Sequence, residues 1–61
     1  MPELTMQELA CLTDQLSREQ MLVKKYKMYA TQCCDPQLRV KCEQAAAQHQ
    51  NHYNTLQRAL G

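Results

Sequence analysis

Two histidines, His49 and His52, stand three residues apart in the segment QHQNHY, and the chain has no others. On a helix that spacing sets both imidazoles on one face. Imidazole nitrogens and carboxylate oxygens are ordinary ligands of zinc, iron and manganese. The carboxylate that could join the pair is Glu19, for reasons of register given below. Such a trio has three chemical readings. It can hold a metal, it can close on itself as a hydrogen-bonded structural layer, or it can sit in water. Sequence alone favours the hydrogen-bonded layer, with Glu19, His49 and His52 as the metal ligands of the alternative. Nucleophilic catalysis has little support, because a thiolate needs a base or cation within hydrogen-bond reach. His49 lies two turns beyond Cys42, about 10 Å along a helix. There is no glycine-rich phosphate loop. The chain is expected not to be an enzyme.

The elements that must position these residues are two helices. Thr5 suits an N-cap, Glu8 completes a capping box, and Leu4 and Leu9 stand where a hydrophobic staple would. No proline or glycine interrupts the chain from there to Cys34. The residue before Pro36 is pushed out of the helical region, so the first helix ends near Cys33 or Cys34. Asp35 suits an N-cap and Pro36 the first helical position. The expected elements are a helix over about 5–33, a turn at about 34–35 and a helix over about 36–59, with Gly61 as terminator. A turn so short lays the helices antiparallel as a hairpin. Both helices carry a seven-residue apolar repeat. The first runs Leu9, Leu12, Leu16, Glu19, Val23, Tyr26, Ala30 and Cys33. The second runs Leu38, Cys42, Ala45, His49, His52, Leu56 and Ala59. Folding at Cys34–Asp35 sets Cys33 level with Leu38, Tyr26 with about Ala45, Val23 with about His49 and Glu19 with about His52. The three polar intruders of the two seams therefore meet at one level.

A second apolar stripe flanks each seam, Leu22 and Tyr29 on the first helix and Ala46 and Tyr53 on the second. One hairpin cannot cover seam and flank together. Two can, as a four-helix bundle about a two-fold axis, so a homodimer is expected. Size argues the same way, because a chain of 61 residues is marginal without a disulfide, a metal or a partner. The four cysteines form no C-x-x-C pair and read as small buried or half-buried apolar side chains of a reducing compartment. A net charge of +1 gives no field for nucleic acid or a membrane surface. The lysines of VKKYKMY read as a solvated face, with Lys24 and Lys27 turned away from the seam and Tyr26 turned in. No apolar run is long enough to span a bilayer, and no basic start with an apolar block marks a signal peptide. A cytoplasmic site of synthesis is expected.

The combination of Glu19, Tyr26 seven residues on, a turn, then His49-x-x-His52 and Leu56 resembles the small proteins of the spore coat F type. The most specific pieces are LVKKYKMYA, DPQL and HQNHY, and the likeness runs from about Leu9 to Leu56. That family is placed with ferritin-like bundles. The resemblance implies an all-α hairpin that dimerises into a ferritin-like four-helix bundle. It implies a non-catalytic structural or assembly role in the bacterial spore coat, among other coat proteins, after synthesis in the mother-cell cytoplasm. Glu19, Tyr26 and His52 match a ferritin-type half-site. His49 stands where that motif carries glutamate, which leaves zinc or iron as the alternative occupant of the layer.

Overall fold

In the computed structural model, which describes residues 4–60, the chain is an antiparallel pair of helices. Helix α1 spans Met6–Gln32 and helix α2 spans Pro36–Arg58. Gly61, the expected terminator, lies outside the described residues. The start of α1 is the reciprocal box expected of it. The Thr5 hydroxyl accepts from the Glu8 N–H at 3.1 Å, and Glu8 Oε1 accepts from the Thr5 N–H at 3.0 Å. Two amides that the helix leaves unpaired are thereby satisfied. The main effect on Glu8 is that this backbone amide, with the Thr5 hydroxyl second, holds its carboxyl below the ordinary value. Leu4 lines a small apolar hollow with Leu12 and Leu56.

The connection occupies Cys33 to Asp35. Cys33 caps α1 in an extended conformation (φ −81°, ψ 127°), and Asp35, also extended, caps α2. Asp35 precedes proline, and its ψ of 119° is the region that the proline ring leaves open. Asp35 Oδ1 accepts from the Gln37 N–H at 2.9 Å. Helix α1 has no basic residue in its last turn, and Arg39 supplies one from α2. Its guanidinium donates to the Cys33 carbonyl at 3.1 Å. A cation there complements the negative end of the helix dipole and braces the turn that sets the register.

The two helices share little. Among the described residues, only Val23, Ala30 and Ala46 are buried, at 5–7% exposure. The Cα trace measures 46 × 16 × 10 Å with a radius of gyration of 14.4 Å, against roughly 10.5 Å for a compact domain of this length. The accessible surface is 4983 Å² for a mass of 7.1 kDa, roughly 900 Å² more than a compact monomer of that mass exposes.

The seam of α1 follows its expected line from Leu12 onward, with Val23 and Ala30 buried and Leu12, Leu16, Glu19, Tyr26 and Cys33 half-buried, but Leu9, its expected first residue, is 40% exposed because α2 ends before covering it. The seam of α2 departs from it. Ala46 is buried and Tyr53 half-buried, whereas Leu38 and His52 are exposed. Two heptad readings share Cys42, His49 and Leu56. One adds Ala45 and His52, the other Ala46 and Tyr53, and α1 packs against the second. The cysteines divide as well. Cys33 and Cys42 are half-buried, but Cys11 and Cys34 are exposed, contrary to the expectation of buried or half-buried thiols; all four are free.

Candidate functional site

Glu19 comes from the middle of α1, and His49 and His52 come from the fourth and fifth turns of α2. The short connection fixes their level, as the spacing required. His49 Nδ1 lies 2.8 Å from Glu19 Oε2 and, in the tautomer with its proton on that nitrogen, donates to the carboxylate. His52 Nδ1 lies 3.5 Å from the same oxygen. Thus two imidazoles converge on one carboxylate oxygen across the helix interface. Burial is graded. The side chains of Glu19, His49 and His52 are 13%, 23% and 51% exposed. His52 is therefore not a seam residue as expected but the solvent-facing edge of the layer. One donor atom from each residue can be chosen so that all three lie within 4.8 Å of one another.

The ring of His49 is held from a second side. Tyr26 stacks on it at 5.7 Å between centroids with planes 7° apart. Tyr29 meets Tyr26 edge-on at 6.1 Å, and His52 meets His49 edge-on at 5.6 Å. Four rings, Tyr29, Tyr26, His49 and His52, so form one continuous row. Such contacts contribute about 0.5–1.5 kcal/mol each beyond area. Level-matching put Tyr26 beside Ala45 and missed this stack. Tyr26 follows Glu19 by one heptad, and His49 lies between them, which was the available signal. Tyr53 takes no part in the layer; its hydroxyl accepts from Gln20 Nε2 at 3.4 Å.

Stepping 100° per residue away from Val23 and Ala46 divides the hairpin into two broad faces. Lys27, Thr31, Glu43, Ala47 and Gln50 border an alanine-floored groove of about 520 Å³ on one face. The other face carries the row of rings together with Leu22 and Leu56. Met21 and Leu22, with the stems of Arg18 and Lys25, line an apolar hollow beside it. Tyr29 is 41% and Met21 66% exposed, and the Lys25 ammonium stands 5.8 Å from the Tyr29 ring centre. Lys24, Lys25 and Lys27 are all exposed, and Tyr26 is half-buried.

The donor set does not fit a carboxylate-bridged di-iron centre, which in a bundle uses four glutamates and two histidines. Pairing two hairpins would supply two glutamates and four histidines, with two fewer negative charges to balance two cations. No helix among the described residues is long and apolar enough to cross a membrane. No family model, curated protein or solved structure matches the chain.

Proposed function

We propose that the chain is a small structural protein whose working form is a two-fold pair of hairpins, closed as a ferritin-like four-helix bundle. The observation that carries this reading is the roughly 900 Å² of surface beyond that of a compact monomer, on a hairpin with three buried apolar residues. A standard interface covers about 800 Å² on each partner, so one copy can cover the surplus of the other. The face with Leu22, Tyr29 and the row of rings is the one to be covered, since the opposite face is rich in lysine, glutamine and glutamate. Met21, Tyr29 and the apolar hollow at Leu22 stand exposed on or beside that face, and contiguous exposed apolar surface marks an association site. Within such a bundle the Glu19–His49 contact is a polar layer that fixes register and partner number.

The resemblance to the spore coat F type extends the proposal to place and partners. The chain serves as a non-catalytic assembly component of the bacterial spore coat, made in the mother-cell cytoplasm and packed against other coat proteins. The solvated lysine face then has no nucleic-acid role. Sedimentation equilibrium tests the pairing, with twice the chain mass expected at micromolar concentration. Quantitative immunoblotting of spores against growing cells tests the location. Abundance in growing cells with absence from spores would remove the coat assignment and leave the pairing intact.

A further inference from the structure

We infer that Glu19, His49 and His52 form a mononuclear site for one divalent first-row transition metal, contained within a single hairpin. Two imidazoles and one carboxylate are a complete three-ligand set of the kind that keeps a coordination position open. Metal bonds of 2.0–2.2 Å in a tetrahedral arrangement separate ligand atoms by roughly 3.3 Å. The distances at Glu19 Oε2, 2.8 Å to His49 and 3.5 Å to His52, bracket that value. The widest separation among the three donors, at most 4.8 Å, closes by side-chain rotation of the exposed His52. The backbone need not move, because the ligands come from two helices whose register the Asp35–Pro36 turn and Arg39 already hold.

The surroundings resemble a prepared site more than a surface coincidence. The stack of Tyr26 on His49 fixes the ring plane of one ligand, as supporting contacts around metal ligands do. Glu19 is the least exposed of the three, so its charge sits where a cation would gain most. In the lone hairpin, before a partner covers that face, His52 is half-exposed and gives the ion an entry path. Zinc or cobalt(II) suits two nitrogens and one oxygen, and affinities are expected to rise from manganese through iron to cobalt and nickel. The remaining positions go to water or to a donor from outside the chain. The site draws all its ligands from one chain, so it does not depend on pairing.

The test uses untagged protein, titrated with Zn²⁺ and with Co²⁺. One ion per chain is expected, with the visible absorption of four- or five-coordinate cobalt and a raised thermal midpoint. His52→Ala and Glu19→Gln should each weaken binding by at least about 100-fold, since even supporting contacts around metal ligands contribute roughly 10–100-fold. A variant with Cys11, Cys33, Cys34 and Cys42 all changed to serine should bind as the parent does. His52 is half-exposed, so far-UV circular dichroism of His52→Ala should match the parent. Should it not, Glu19→Gln, nearly isosteric, decides. Failure to bind either ion overturns the site, as does binding that survives both substitutions. Loss of binding in the cysteine-free variant would assign the metal to the thiols. One ion per two chains would place the site across a pair instead of within a hairpin.

Discussion

Replacing Leu22 by glutamate should separate the paired hairpins while leaving each hairpin folded. Leu22 is partly buried in the lone hairpin, so up to about a third of it remains for a partner to cover. Losing that contact removes up to roughly 0.7 kcal/mol per chain, a third of the value of a fully buried leucine. A carboxylate facing the tyrosines of the other copy also loses hydration, at a cost of at least about 2 kcal/mol. A two-fold axis presents the change twice, giving about 5 kcal/mol per pair, or roughly a 10⁴-fold rise in dissociation constant. Sedimentation equilibrium over about 1–100 µM spans the affinities concerned. The wild type should sediment at twice its 7.1 kDa, and Leu22→Glu at the single-chain mass with its helical circular dichroism kept. Thr31→Glu introduces the same charge on the lysine-bearing face and should sediment as the wild type. The reasoning fails if Leu22→Glu pairs as tightly as the parent, or if the two substitutions weaken pairing equally.

Four other substitutions, two of them combined in one variant, probe the interior and the helix end. Ala46 is 5% exposed against α1, so Ala46→Leu forces the helices apart and should cost about 1–3 kcal/mol in urea unfolding. Glu19→Leu leaves His49 without its acceptor and should cost about 1–3 kcal/mol, whereas Glu19→Leu with His49→Leu should recover that loss, because an apolar pair replaces a polar one without an orphan. At the start of α1, the Glu8 carboxyl is depressed from its ordinary 4.5 by the Thr5 amide and hydroxyl. Its contribution is therefore complete above pH 4.5 and lost as pH falls through the lower folded value. The Thr5 amide resonance, followed by NMR, should titrate in that window. In Glu8→Gln the dependence should disappear while the cap persists, since glutamine serves the same box.

Much of this was legible in the sequence because a few residues have narrow conformational choices. Thr5 with Glu8, and Asp35 with Pro36, mark helix starts by hydrogen-bond chemistry that depends on nothing distant. Between those marks the connection is so short that the level of every residue on α2 follows from α1. That is why Glu19 could be matched to His49 and His52 across about 30 positions of chain. Rotation of α2 was not legible. Ala45 and Ala46 are chemically alike, so apolar pattern cannot say which of them faces α1. Choosing Ala45 carried His52 into the seam, and the structure returns it to the edge. Tyr26 on His49 was missed for a related reason, since a level assigned from Cα positions takes no account of a tyrosine reaching along the helix axis.

The composition of the seam explains why a polar layer belongs at its middle. Along α2 the interface offers Cys42, Ala46 and, toward the end, Tyr53 and Leu56. Small side chains allow close approach, but they interlock weakly, and one alanine can replace another as the helices slide or turn. A slide by one turn toward Cys42, which the short connection already opposes, would keep a small residue against α1. It would, however, move His49 roughly 5.4 Å from Glu19, leaving a half-buried carboxylate without its donor, and would take the imidazole off Tyr26. Orphaning a buried polar group costs about 1–3 kcal/mol and more when it is charged, comparable to the energy that three small buried residues can contribute by packing. The turn and Arg39 set the register of this hairpin, and the Glu19–His49 contact adds to the cost of departing from it. Because the same two side chains are also two-thirds of a metal donor set, an ion bound there would tighten the one register in which the hairpin already places them.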